Sequence, residues 1–185
     1  MILETKRLII RPWKESDAES LYRYAKDERI GPAAGWPVHK SIEYSRYVIE
    51  NIFSVPETYA VCIKETDEAV GCIGLIMPQN SNISINDGEA EVGYWIGAPF
   101  WGKGLIPEAL EKLMEYAFCT LKLTALWCGY FDGNTKSERV QKKCGFKYVC
   151  TNENVYWQTM DYYKTEHISR ITAEEYFSQK GDISE

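Results

Sequence analysis

The sequence predicts a mixed α/β protein of the α+β kind, with a mostly antiparallel central sheet flanked by helices. Two helix-like segments precede three closely spaced strands separated by turn-rich stretches, which is the spacing of an antiparallel meander. Strand and helix patterns then alternate to the C-terminus. This order departs from the regular alternation of an all-parallel, doubly wound sheet. A chain of 185 residues, 45% hydrophobic and 26% charged, is long enough to bury one substantial core, and a single soluble domain over 1–185 is expected.

Each element has its own signal. "RLIIRPW" predicts a strand that Pro12 ends, and "ESDAESLYRYAKDE" a helix with Ser16 or Asp17 as its cap. "GPAAGWP" reads as a loop. A helix over about residues 41–53 places Tyr44, Val48 and Ile52 on one stripe. Strands follow at about 58–64, 69–77 and 89–96, separated by "ETDEA" and "PQNSNISINDG". A helix over about 105–118 carries Ile106, Leu110, Leu113 and Ala117 in register. "LTALWCGYF" is the next strand, "TKSERVQKKC" a short helix and "GFKYVCT" a further strand. "VYWQTMDYYKTEHISRI" reads as one last strand and "TAEEYFSQ" as a terminal helix.

Charge and composition exclude several classes. A net charge of −6 is the wrong sign for a general nucleic-acid binder. No apolar run approaches the roughly 20 residues of a membrane-spanning helix, and the charged opening "MILETKRLIIRPW" lacks the apolar stretch of a signal peptide. A cytoplasmic location is expected. The six cysteines form no C-x-x-C pair and only two histidines accompany them, so they read as small buried hydrophobes and no metal is expected.

The chemistry centres on "GAPFWGKGLIPEAL". It matches a P-loop up to the last position, where Gly104 replaces the hydroxyl residue that would hold Mg²⁺. Because the stretch lies between a strand and an amphipathic helix, its glycines and first-turn N–H groups can cradle a diphosphate that is held without being cleaved. Pro107 is tolerable in that first turn, where a helix uses no N–H donor. The competing reading is a turn that needs glycine for geometry alone.

Alternation along "EAEVGYWIG" puts Glu89, Glu91, Gly93 and Trp95 on one face of a strand and Ala90, Val92, Tyr94 and Ile96 on the other. A carboxylate within a central strand needs a reason, since burying charge is costly. It is either a general base or a structural acid bonded to a neighbouring loop.

"EAEVGYWIGAPFWGKGLIPEALEKLMEYAF" and "NTKSERVQKKCGF", with "RLIIRPWKESDAESL" before them and "HISRITAEEYF" after, resemble the GNAT (GCN5-related N-acetyltransferase) family, in its RimJ/RimL-like branch. The resemblance implies a fold with splayed central strands, those carrying Tyr94 and Trp127, and transfer of acetyl from acetyl-CoA to a primary amine by direct attack in a ternary complex. It aligns the family's diphosphate loop with Trp101, Gly102, Lys103, Gly104, Leu105 and Ile106. Trp101 and Ile106 depart from the general motif, though Trp101 suits this branch.

Tyr94, Trp95 and Ile96 are implied to line the cofactor, Asn134 its pantetheine arm, and Ser137 the sulfur. Glu91 is implied as the base, with Glu89 as second choice. A tyrosine that many relatives use as acid is Gln141 here, so Ser137 or a tyrosine from another segment must serve. Lys136, Arg139, Lys142 and Lys143 form a basic cluster suited to phosphates or to a solvated helix face. Trp36, Tyr44 and Glu89 are expected near a small-molecule or peptide amine. The acceptor's identity and the choice between monomer and homodimer stay open. The alternatives are an inactive acyl-CoA-binding sensor or scaffold of the same fold and, much less compatible with the missing hydroxyl and the meander, an ATP-dependent enzyme.

Overall fold

The structure, a computed structural model, describes residues 1–181, so the last four positions of the expected 1–185 domain lie outside the described residues. Its strands are β1 (Leu3–Glu4), β2 (Leu8–Arg11), β3 (Thr58–Ile63), β4 (Ala69–Ile76), β5 (Glu89–Ile96), β6 (Ala125–Phe131), β7 (Lys147–Trp157) and β8 (Tyr162–Thr172). Its helices are α1 (Ala18–Ala25), α2 (Gly31–Ala34), α3 (Ile42–Asn51), α4 (Leu105–Cys119), α5 (Thr135–Lys143) and α6 (Ala173–Gly181). The eight strands form one sheet in the order β1-β2-β3-β4-β5-β6-β8-β7. Every neighbouring pair is antiparallel except β5 and β6, which α4 connects as a parallel pair. Among the described residues no helix is long and apolar enough to cross a membrane.

The expected α4 stripe of Ile106, Leu110, Leu113 and Ala117 is buried, and so are Leu105, Ala109, Met114 and Phe118. A helix apolar over so wide an arc must lie deep in the core, and it packs beside Ile73, Ala90, Val92 and Leu126 in one apolar cluster. That packing fixes where α4 begins, at the end of β5.

Three local readings differ from the structure. "GPAA" is not loop but the single turn of α2, with Pro32 in its first turn and Gly35 closing it at φ 84°. In α3, which Ser41 caps by accepting the Tyr44 N–H, the buried residues are Ser45, Val48 and Ile49, while Tyr44 and Ile52 are exposed. The buried stripe is turned because the Ser45 hydroxyl bonds the buried His39 ring at 2.8 Å. The segment read as one last strand is broken: "VYW" completes β7, a turn follows, and β8 starts at Tyr162. No glycine or proline marks that turn, and Asp161 takes the positive φ that closes it.

Asp17 occupies the N-cap position of α1, yet its carboxylate turns back to accept both Arg11 guanidinium nitrogens at 2.8 and 2.9 Å and the Lys14 N–H at 2.8 Å. Arg11 also reaches Asp67 in the β3–β4 turn. This buried fork ties β2, the entry to α1 and the meander together. Asp17→Asn is expected to destabilise the fold by about 3–5 kcal/mol, because it strands a buried guanidinium. Asp67→Asn, at a half-exposed partner, should cost about 1 kcal/mol or less. Urea unfolding of the two variants checks the ranking.

Candidate active site

The parallel pairing of β5 with β6 runs only through Glu89–Ala125, Ala90–Leu126 and Glu91–Trp127. Beyond it β5 stays on β4 as far as Ile96, and β6 stays on β8 as far as Phe131. The two strands therefore part after Glu91 and Trp127, and a cavity of about 540 Å³ opens at the parting. Tyr94, Trp95, Ile96, Trp101, Gly102, Gly104, Leu105, Ile106, Asn134, Ser137 and Glu91 all line it.

The loop before α4 forms one end. Gly102 and Gly104 sit at φ 73° and 72°, a region that side chains with a Cβ enter at a cost. Among the described residues no acceptor takes the N–H groups of Gly102, Lys103, Gly104, Leu105 or Ile106. Five free amides at a helix N-terminus suit an anion. Trp101 braces this loop: its indole N–H donates to the Ile96 carbonyl at 3.0 Å, and the Lys136 ammonium lies 4.3 Å over its ring.

Lys136, Arg139 and Lys143 from the predicted basic cluster line the cavity, joined by Arg29, which the sequence did not single out and which also pairs with Asp27. Lys142 instead pairs with Glu138, and the Lys103 ammonium lies over the Phe100 ring. Free amides, a loop open above Gly102 and four cations fit the diphosphate and phosphate groups of a coenzyme A ester.

On the α5 side, the Asn134 side chain caps the helix by accepting the Ser137 N–H at 3.2 Å, and also donates to the Ala33 carbonyl. The Tyr94 hydroxyl is 2.9 Å from Ser137 Oγ, and Gln141 donates to that oxygen at 3.3 Å. Burial raises the Tyr94 pKa well above its ordinary value, so the phenol keeps its proton. A tyrosine hydroxyl from β5 therefore stands beside Ser137 and Gln141.

On the opposite face, Glu91 is buried and accepts the Ser81 hydroxyl at 2.7 Å, and the backbone amides of Asn82 and Ile83 lie close enough to favour its charge. Burial raises its pKa and those donors pull it back. A second carboxylate, Glu166 on β8, lines the same cavity and was not visible in the sequence. It is 6% exposed, and burial, with Glu91 nearby, pushes its pKa up to about 7. Glu89 does not line the cavity; it accepts the Trp127 indole and the Asn86 amide, both at 3.0 Å. Trp36 packs on Trp95, and Tyr44, on α3, meets the His39 ring edge-on; neither lines the cavity. Among the described residues no group of three or more His, Cys, Asp or Glu is gathered as for a metal ion.

A family model for the acetyltransferase (GNAT) domain matches residues 7–147. The chain belongs to the GNAT acetyltransferase family. It is an acyltransferase, and its family draws acetyl groups from acetyl-CoA. Among GNAT relatives, the uncharacterized N-acetyltransferase p20 of Bacillus licheniformis is 29% identical over 150 residues, covering 78% of this chain and 82% of its own. The ribosomal-protein-S5-alanine acetyltransferase of Vibrio fischeri superposes with a TM-score of 0.73 at 19% identity, over 95% of this chain and 98% of its own. The microcin C7 self-immunity acetyltransferase MccE, whose structure holds acetyl-CoA and AMP, does so with a TM-score of 0.73 at 20% identity, over 91% and 93%. At such identities the structures establish the shared GNAT fold.

Glu166 gives this GNAT site a signature in stability. Its folded-state pKa of about 7 lies above the unfolded value of about 4.3. The fold therefore holds a proton that the unfolded chain releases, and stability is lost as pH rises through this window. Glu166→Gln is expected to match the wild type at pH 4, where both side chains are neutral. It should exceed the wild type by up to about 4 kcal/mol above pH 7. Chemical unfolding at the two pH values measures the difference.

Proposed function

We propose that this enzyme is a single-domain N-acetyltransferase that joins acetyl-CoA and a primary amine in one ternary complex, with direct attack of the amine. The observation that carries the reading is the placement of acid and base on the two faces of one opened strand. Glu91 lies on one face of β5 opposite Trp127, and Tyr94, three residues on, bonds Ser137 on the other. A bound acetyl-CoA supplies its acetyl group as an activated thioester.

The free amides from Gly102 to Ile106 would hold the diphosphate, with Arg29, Lys136, Arg139 and Lys143 toward the remaining phosphate. Strand groups of β5 that lose their β6 partner beyond Glu91 are available to the amides of an extended arm and to polarise a carbonyl. Glu91 faces the side from which an amine approaches. Its carboxylate attracts the ammonium, whose proton leaves to the carboxylate side of the cavity, directly or through water. Tyr94 and Ser137 hold exchangeable protons on the other side for the leaving sulfur.

The acceptor is a small-molecule amine or a peptide N-terminus. The RimJ/RimL-like motifs and the likeness to a ribosomal-protein acetyltransferase support including peptide N-termini. The co-substrate is a cytoplasmic metabolite, which supports a cytoplasmic location.

The test is CoA release with acetyl-CoA and a panel of primary amines: N-terminal tetrapeptides, a diamine, an aminoglycoside and free amino acids. At least one is expected to turn over. Glu91→Gln should lower that turnover by roughly tenfold or more, because the ammonium loses an anionic neighbour, while thermal stabilisation by acetyl-CoA stays unchanged. Stabilisation by acetyl-CoA without CoA release from any amine identifies the chain as a sensor or scaffold.

A further inference from the structure

We propose that Glu166 is the proton acceptor of the acetyl transfer and that Glu91 is its fixed anionic partner, the two carboxylates receiving the acceptor's ammonium together. This rests on the amine reading above and names the atom on which the proton comes to rest.

The register places both groups on one face. Glu91 stands opposite Trp127, and Glu166 opposite Phe131. Trp127, Gly129 and Phe131 share one side of β6 because side chains alternate along a strand. Gly129, between them, has no side chain, and the Glu166 Oε1 oxygen occupies the space where one would start. The bare backbone at Gly129 thus lets the carboxylate lean over β6 into the cavity that Glu91 also lines.

The two carboxylates differ in their partners. Glu91 accepts the Ser81 hydroxyl and lies near the backbone amides of Asn82 and Ile83, all of which favour its charged form. Glu166 is buried, faces the cavity and, among the described residues, accepts no hydrogen bond and joins no ion pair.

The charged and titratable groups around Glu166 are accounted for. Glu91 faces it from β5, and the buried Cys128 thiol of β6, whose pKa burial raises, lies near it on the other face of the sheet. β7 sets the neutral Asn152 opposite it. On its own strand Lys164 lies over the Phe131 ring and near the Pro32 carbonyl, and Arg170 lies over the Trp127 ring. The neighbouring His167 engages Asp132 and Thr151. A buried carboxylate without donors is incomplete until a cation arrives. The acceptor ammonium is that cation.

The step balances as follows. The ammonium N–H bond breaks and its proton passes to Glu166. The freed amine lone pair forms the C–N bond to the acetyl carbon as the C–S bond breaks. The second proton lost by nitrogen balances the sulfur through the Tyr94–Ser137 side, and Glu166 returns its proton to water.

The experiment is the pH dependence of kcat/KM on the fastest amine of the panel, for wild type, Glu166→Gln and Glu91→Gln. The wild type should rise by roughly tenfold per pH unit up to about pH 7 and then level. Glu166→Gln should be slower by roughly 10²-fold at pH 7 and should regain rate as pH rises toward the amine's own pKa, where free amine needs no protein base. Glu91→Gln should keep the acidic limb but move it to lower pH, since the repelling charge is gone. A Glu166→Gln profile of wild-type shape, whatever its height, overturns the assignment, as does an acidic limb that Glu91→Gln abolishes. If no amine turns over in the wild type, the amine reading falls and this one with it; turnover with an unchanged Glu166→Gln profile removes Glu166 alone.

Discussion

The site depends on one interruption, the end of β5–β6 pairing after Glu91 and Trp127. A sheet normally satisfies every backbone group along its strands, and here two central strands forgo that beyond three residues. The separation holds because each strand keeps its outer partner: β5 is bonded to β4 along its whole remaining length, and β6 to β8. α4 packs beneath the junction and prevents the halves from sliding together. Cys128 reaches across the start of the gap to the Val92 carbonyl at 3.3 Å, which leaves that buried acceptor satisfied.

The opening sorts charge by side. Cations gather toward the glycine loop and α5, and unpaired amides add partial positive charge at the head of α4. The two glutamates lie on the other face of the sheet. An acidic protein with a net charge of −6 can thereby hold a polyanionic cofactor at one end while drawing a cationic acceptor to the other. At the interior's low dielectric such local fields outweigh the net charge, which acts mainly at long range.

The parts legible in the sequence were those with a local cause. The glycine loop could be read because Gly102 and Gly104 are needed for positive φ and their neighbours for free amides. α4 could be read because its apolar period is unbroken over four turns. The strand alternation placed Glu91 and Tyr94 on opposite faces before any coordinates. Glu166 was hidden because its meaning lies in register: only the β6–β8 pairing sets it beside Gly129 and across from Glu91. Arg29 was hidden likewise, and Trp36 and Tyr44 look suitable as site aromatics in sequence while the fold spends them on Trp95 and His39.

The β7–β8 hairpin shapes the side of the cavity that carries Glu166. Trp157 and Thr159 both donate to the Gly35 carbonyl at 2.6 Å, and Tyr162 and Lys164 donate to the Pro32 carbonyl. The short α2 turn is thereby clamped onto a hairpin far away in sequence, and the Trp157 ring meets Phe131 edge-on at the cavity wall. Glu166 belongs to the same hairpin. The Glu166 side of the cavity and its Trp157–Phe131 wall are therefore one mechanical unit, separate from the glycine loop before α4.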